Sequence, residues 1–390
     1  MRTNLRIESD VDQDPKKIII LLGAGSTKAN ADIVQEFEKP PLNSKFFANI
    51  RSSINESDSD HKERTTQLEN IRIYFEKRHS VDIFLDSEDF LEKVMSTLFF
   101  DVKNSELMTE SYPIFRILLT LIHERIGETT NNITINERKP LYRLVDYFFQ
   151  RGIHPENLTI ITFNYDIYIE KTLAAMALSR KVARYFSDPD QTIFSLQYGY
   201  ASDFGLPTRP PRPRQGYFPI SLDIKKGGIR VLKLHGSLNW YSYYPTEEIS
   251  LADLFKSDRP IKLSGEKEIN STQLKYRDPD GLIKYTLPNY VPPISDKPEI
   301  YHANIFDLWD RGREELIRAD EIIIYGYSCP QSDAESRNLL YSSLEINPKK
   351  QKISIIDTDS SIKKHYQELL PSKEICGPYL DVSHFLESNV

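Results

Sequence analysis

Four short polar clusters, each following directly on an apolar run, carry the residue types from which chemistry can be built. Gly23-Ala24-Gly25-Ser26-Thr27 comes straight after IIILL. Small residues let a backbone approach a pyrophosphate, and the amides and two hydroxyls can donate to it; a tight structural turn would use the same residues. The third glycine of the usual dinucleotide fingerprint is missing. Thr162-Phe163-Asn164-Tyr165-Asp166 sets an amide and a carboxylate two residues apart, where they can share a small polar ligand. Asn164 could equally cap the next helix. Leu234-His235-Gly236-Ser237 offers an imidazole, which titrates near neutrality when unperturbed, beside a glycine that admits a close neighbour. Gly326-Tyr327-Ser328, with Asp333 a turn later, ends a fourth run, and Asp357 ends a fifth. A carboxylate in such a place accepts from ribose hydroxyls. Asp359 can do so instead, and either can serve merely as a helix cap.

The runs that precede these clusters are short, apolar and bounded by polar or glycine residues, as buried parallel strands are. Five such units are read: Ile18–Thr27, Leu158–Asp166, Arg230–Trp240, Asp320–Ser328 and Lys352–Asp359. Between the first and second, Ser87–Phe100 (with Ser87 as its cap), Ser111–Ile126 and Pro140–Gly152 have helical spacing. Asn55–Asn70 reads as loop or a solvated helix. This predicts a single α/β domain with a Rossmann-like, mostly parallel sheet. Its core is formed by residues 18–31 and 151–390, with an inserted helical module over 32–150 and a polar N-terminal arm over 1–17. The Pro- and Tyr-rich stretch Tyr241–Ile300 shows little periodicity and reads as irregular elaboration. In open α/β sheets ligands bind at the carboxyl ends of the strands, which is where the polar clusters fall.

Composition narrows the function classes. The 390 residues, 39% hydrophobic and 27% charged with 22 Tyr and 19 Phe, suit a packed globular chain. No run approaches the roughly 18 apolar residues of a membrane span, and the N-terminus lacks the apolar core of a secretion signal. Two cysteines cannot form a four-thiolate zinc site, and they favour a reducing, cytoplasmic setting. His123-Glu124 lacks the second histidine of a zinc helix, so no metal is expected. A net charge of −7 argues against direct nucleic-acid binding. Locally, Arg209, Arg212, Arg214, Lys225, Lys226, Arg230 and Lys233 face only Asp223, giving either a partner or phosphate surface or a solvated loop.

The order G-A-G, T-x-N-x-D, H-G, G-x-S, each at a strand end, resembles the sirtuin family. More closely, it resembles the sirtuin-like NAD-consuming proteins of prokaryotic anti-phage systems. The resemblance runs from Ile18 to about Leu370 and includes Pro40-Pro41-Leu42, Pro292-Pro293 and Trp309 ahead of GYSCPQSD. It implies NAD+ stretched across the strand ends. The cofactor-binding residues would be Gly23, Ala24, Gly25, Ser26, Thr27, Gly326, Ser328 and Asp357, with the pyrophosphate at Ala24, Gly25 and Thr27 and the adenosine half at Ser328 and Asp357. Asn164, Asp166 and His235 would be catalytic: Asn164 and Asp166 at the nicotinamide ribose and carboxamide, His235 at the ribose hydroxyls.

The departures from the family pattern disfavour a protein deacetylase. The zinc ribbon is impossible, Lys28-Ala29-Asn30-Ala31-Asp32 stands where the acyl-lysine loop would be, Phe163 replaces a glutamine and Asp357 an asparagine. The implied activity is therefore NAD+ hydrolysis to nicotinamide and ADP-ribose, depleting NAD+ in abortive infection. The alternatives are a regulatory subunit that binds NAD or ADP-ribose without turnover, an ADP-ribosyltransferase and a deacylase. The implied partners are further copies of the chain and a separate HerA-like ATPase-translocase.

Overall fold

The computed structural model describes residues 15–31, 40–41, 45–54, 61–84, 90–104, 106–178, 228–244, 260–262, 274–277, 283–290, 292–294, 303–331 and 333–389. Most of the predicted N-terminal arm, Ser87, Leu42, Asp32 and the basic stretch up to Gly227 lie outside these residues. Of the basic residues that are described, Arg230 pairs with Glu315 and Lys233 is fully buried, so neither belongs to a free cationic surface.

Six strands form a wholly parallel sheet: β1 (Ile18–Leu22), β2 (Leu158–Thr162), β3 (Arg230–Lys233), β8 (Glu321–Tyr325), β9 (Lys352–Ile356) and β10 (Ile375–Tyr379). Their spatial order is β3-β2-β1-β8-β9-β10. Chain order thus runs outward from β1 in one direction and then outward from β8 in the other. That reversal, between β1 and β8, is the topological switch point at which doubly wound sheets leave a crevice.

The central strand shows why the sheet is covered on both faces. All five residues of β1 are buried. Side chains alternate across a strand, so Ile19 and Leu21 join one apolar cluster while Ile18, Ile20 and Leu22 join another. The first cluster takes in α8 (Ala303–Arg318), α9 (Ala334–Leu340) and α10 (Ile362–Leu369). The second takes in α6 (Pro140–Gln150), α7 (Tyr168–Leu178) and α11 (Val382–Ser388). Each such aliphatic side chain contributes on the order of 2 kcal/mol by leaving water.

A third cluster is built by α2 (Phe46–Ser53), α3 (His61–His79), α4 (Phe90–Lys103) and α5 (Met108–Asn131). It also includes Tyr165, Leu238 and Ile294, so this inserted bundle packs onto the strand-end loops. Helix α6, which falls within the predicted module, packs on the sheet instead; its strongly apolar face (Leu141, Leu144, Val145, Phe148) has no place in the bundle.

Two features depart from the expectation. The stretch read as irregular holds part of a second sheet, order β5-β4-β7-β6. It is antiparallel and made of β4 (Gly236–Tyr244), β5 (Pro260–Lys262), β6 (Leu274–Arg277) and β7 (Ile283–Tyr290). Tyr, Pro and Lys dilute the apolar alternation there. The sixth parallel strand, β10, is ICGPY, whose glycine and proline hide a strand. It sits at the sheet edge beside β9 alone, where proline is tolerated.

Candidate functional site

Parallel register aligns the strand ends. Leu22 is level with Thr162 of β2 and Tyr325 of β8; Thr162 is level with Lys233, and Tyr325 with Ile356. The pairing continues one residue further in each case. The amides of Leu234, Phe163, Gly23 and Gly326 donate to the carbonyls of Thr162, Leu22, Tyr325 and Ile356 at 3.0–3.1 Å. Leu234, Phe163, Gly23, Gly326 and Asp357 therefore stand in one row. The next residues along, including His235 and Asn164, rise above it together. Residues separated by up to 334 positions are juxtaposed by ladder geometry alone.

Above the row lies a cavity of ≈ 960 Å³. Of the predicted residues, Gly23, Ala24, Gly25, Asn164, His235, Gly326, Ser328 and Asp357 line it. Ser26, Thr27 and Asp166 do not. The chain enters α1 (Ala24–Ala29) with no spacer, and Ser26 and Thr27 turn inward and are buried. The Ser26 hydroxyl donates to the Gly23 carbonyl at 2.7 Å, and the Thr27 hydroxyl donates to Asp166 Oδ2 at 2.9 Å. Neither hydroxyl is aimed at a ligand. The Gly23 and Gly25 amides are likewise committed, to the carbonyls of Tyr325 and Gly326. The glycines at this turn answer first to close packing. A Cβ on Gly23 would lie 2.5 Å from the Gly326 carbonyl oxygen, and one on Gly326 would lie 2.1 Å from the Ser26 nitrogen.

Asn164 is held from behind the cavity wall. Its Nδ2 donates to the Gly23 carbonyl at 2.9 Å and to Thr27 Oγ1 at 3.1 Å. Because the carbonyl can only accept, the amide orientation is fixed. Both hydrogens are used, which leaves Oδ1 as the acceptor for a ligand. Asp166 completes the arrangement: Oδ1 accepts from the Tyr168 amide at 2.9 Å and Oδ2 from Thr27. Burial pushes its carboxyl above the usual carboxylate range, with the Lys233 ammonium opposing that shift.

His235 sits in an aromatic cage. Phe163, Trp309 and Tyr165 have ring centres 5.2, 6.0 and 6.2 Å from the imidazole. Trp309 Nε1 donates to the carbonyl of Leu234 at 2.9 Å, bracing the backbone beside the imidazole. His235 Nε2 lies 3.8 Å from Asp333 Oδ2, beyond a hydrogen bond but within strong electrostatic reach. Asp333 is itself buried, accepting from the Tyr327 hydroxyl at 3.1 Å and from Ser336 Oγ at 2.7 Å. Burial, reinforced by Asp333, keeps the Tyr327 phenol far above its ordinary pKa, so it remains a donor.

At the other end of the cavity, burial raises the Asp357 carboxyl. Asp359 is held low by hydrogen bonds from Ser361; both carboxylates cap the turn, Asp357 Oδ1 accepting the Asp359 amide at 2.9 Å and Asp359 Oδ1 the Ser361 amide at 2.8 Å, and both line the cavity. Cys329 also lines it, but burial pushes its thiol up to about 12, which leaves it protonated and a poor nucleophile.

Sequence reasoning missed several lining residues. Glu92 comes from the inserted bundle, is buried, and has no signal in its helical context that marks it. Lys28 and Arg337 supply the cationic side chains, and Phe163 stacks on Tyr327 at 4.3 Å and 20°. Phe163, singled out in the sequence only as a departure from the family pattern, is a lining residue by its place between Thr162 and Asn164. Among the described residues, no group of three or more His, Cys, Asp or Glu is placed to hold a metal ion, and no helix is long and apolar enough to cross a membrane.

No protein-family model and no curated protein matches the chain. Among solved structures it is similar to a point mutant of a Sir2 homologue in complex with ADP-ribose, at 13% identity and a TM-score of 0.41, over 96% of this chain and 90% of that one. It is also similar to a Sir2 homologue in complex with NAD, at 12% identity and a TM-score of 0.41, over 96% and 88%. A third likeness is to a Sir2 mutant with a deacetylated p53 peptide and 3′-O-acetyl ADP-ribose, at 11% identity and a TM-score of 0.34, over 96% and 92%. At such identities, and with TM-scores below 0.5, these likenesses are too distant to establish a family.

Proposed function

We propose that the protein is an NAD+ glycohydrolase. The observation that carries this reading is the shared cavity: Asn164 and His235 line the same space, at the switch point of a doubly wound sheet, and that space continues to Ser328 and Asp357. A volume of ≈ 960 Å³ is ample for a dinucleotide. In this reading the nicotinamide ribose lies by Asn164 and His235, the pyrophosphate passes the Gly23–Gly326 contact within reach of Lys28 and Arg337, and the adenine ribose meets Asp357.

Hydrolysis breaks the C1′–N bond of the nicotinamide ribose. The bonding pair goes to the pyridinium nitrogen, giving neutral nicotinamide, and positive charge builds on the ribose. Water adds at C1′ and releases one proton. Asn164 Oδ1 accepts from a ribose hydroxyl or from the water and so fixes its direction. His235 takes the proton, and the nearby Asp333 carboxylate stabilises the imidazolium that results. Asp166 acts through Thr27 and not on the carboxamide, because it does not reach the cavity.

The resemblance noted above supports a wider setting: NAD+ depletion in anti-phage defence, self-assembly, and activation by a HerA-like ATPase. Incubating the protein with NAD+, alone and with such an ATPase, and separating products by chromatography tests the reading. Release of nicotinamide that is lost in the Asn164→Ala variant supports it. Binding of NAD+ without product under both conditions favours the regulatory subunit instead.

Two further outcomes follow from the site. Trp309→Phe removes the indole donor to the Leu234 carbonyl and should cost about 1 kcal/mol in denaturant unfolding. It should reduce nicotinamide release by a larger factor than that loss explains, because the backbone beside His235 is no longer braced. Asp357, with its raised pKa, loses its charge at a higher pH than an ordinary aspartate. ADP-ribose affinity, measured by calorimetry, should therefore weaken about threefold or more as pH falls from neutral through that raised range, ahead of the pH at which an ordinary aspartate would titrate. Asp357→Asn should remove that dependence.

A further inference from the structure

Lys233 is the last residue of β3, and its side chain is completely buried. A buried ammonium is costly unless it is fully paired. Its Nζ donates to the carbonyl of Asp166, to the carbonyl of Tyr165 at 3.4 Å and to Glu170 Oε1 at 2.9 Å. One cation thus joins three elements: the strand that leads into His235, the loop that follows Asn164, and the first turn of α7.

The same contacts lead on to the site. Asp166 receives the Thr27 hydroxyl, and Thr27 Oγ1 receives the Asn164 amide. A carboxylate at Asp166 forces Thr27 to donate toward it, and the Thr27 oxygen is then left to accept from Asn164. A protonated Asp166 could donate to Thr27 instead. The Thr27 hydrogen would then turn on the Asn164 amide and disturb the orientation that leaves Oδ1 for a ligand.

We propose that Lys233 is a positioning residue of the NAD-cleaving site, one that pins the Tyr165–Asp166 main chain to β3 and thereby holds the Asp166–Thr27–Asn164 relay in its working orientation. This rests on the glycohydrolase reading. Four groups act on the Asp166 carboxyl: the Thr27 hydroxyl from α1 and the Tyr168 amide from α7 by hydrogen bonds, and, through space, the Glu170 carboxylate of α7 and the Lys233 ammonium, which is bonded to the Asp166 main-chain carbonyl. Burial and Glu170 favour the protonated acid, whereas Lys233, Tyr168 and Thr27 favour the carboxylate. Lys233 is the one full positive charge among them.

The test compares the intact protein with Lys233→Met, which keeps the length and loses the charge, and Lys233→Arg, which keeps the charge. The first readout is the pH profile of nicotinamide release. Lys233→Met should lower kcat at neutral pH about tenfold or more, with KM within about twofold. Its acid limb should move up by about one pH unit or more, and Lys233→Arg should keep the limb in place.

The second readout needs no activity. A buried acid with a raised pKa binds its proton more tightly in the folded state, so stability falls as pH rises through the window between the unfolded and folded pKa values. Lys233→Met widens that window, so its Tm should fall more steeply with pH than that of the parent. Both proteins are compared in a Glu170→Gln background, because Glu170 loses its partner in the same change; there an added Asp166→Asn should abolish the difference. Parallel Tm curves, or an acid limb that does not move, would overturn the proposal. A parent protein that releases no nicotinamide in any condition, yet shows the Tm coupling, would sink the glycohydrolase reading and the positioning role with it, while leaving the Lys233–Asp166 linkage intact.

Discussion

Asn164→Ala should reduce nicotinamide release by about 100-fold or more, the usual cost of losing a group aimed at a developing charge. ADP-ribose affinity should change far less, because the remaining contacts with the product come from the rest of the cavity. The variant should fold. Asn164 is buried, but it packs at the cavity wall, and its loss leaves the Gly23 carbonyl with the Ser26 amide and hydroxyl as partners. His235→Ala should fall in the same range or lower, since general acid–base groups contribute about 10²- to 10⁴-fold. The double variant should be little worse than the poorer single one, because two groups serving one event are not additive. Rates should be read by chromatography, alongside far-UV circular dichroism. Full turnover in both single variants would leave the assignment without support.

Gly326→Ala should have the largest effect on stability. Gly326 has φ of +61°, where a side chain is strained, and its Cβ would also come within 2.1 Å of the Ser26 nitrogen and 2.5 Å of the Gly25 carbonyl carbon. Both obstacles are backbone, which cannot step aside as a flexible side chain can. The expected loss is about 3 kcal/mol or more, with the β1 and β8 turns forced apart. Gly152→Ala is the control. Its φ is +77° but nothing lies within 4 Å of the added carbon, so the loss should be about 1 kcal/mol, from strain alone. Denaturant unfolding of the two variants separates clash from strain. Equal losses would mean that the strand-end contact is looser than its geometry indicates.

The strands that carry chemistry were legible because burial on both faces leaves a nearly continuous apolar run, broken at most by a small hydroxyl residue, and such a run must stop where the chain meets a ligand or a turn. IIILL, LTIIT, EIIIY and KISII are of this kind. Where glycine, proline, tyrosine and lysine dilute the apolar run, or the strand lies at an edge, the pattern weakens, which is why ICGPY and the antiparallel strands were not foreseen. In the site, the row of strand ends followed from residue order. Which side chains leave that row did not. Ser26 and Thr27 looked like phosphate donors, but the helix begins immediately and its rotation turns them inward. Asp166 looked like a ligand contact, yet it lies behind Asn164, a difference set by the loop path and invisible in one-dimensional spacing. Glu92, 66 residues upstream of β2, could not have been found, because its place depends on how the inserted bundle folds back onto the strand-end loops.

Between Lys233 and Gly236 the chain passes from one sheet to the other, with Leu234 and His235 as the whole of the link and Gly236 at φ +80°. The imidazole therefore rides on a short coupling between two stiff bodies, and any tilt of the antiparallel sheet must be taken up at that coupling. Lengthening the far ends of β5 or β6 would be mechanically quiet, whereas one residue inserted beside His235 would detach the proton acceptor from the rest of the machinery.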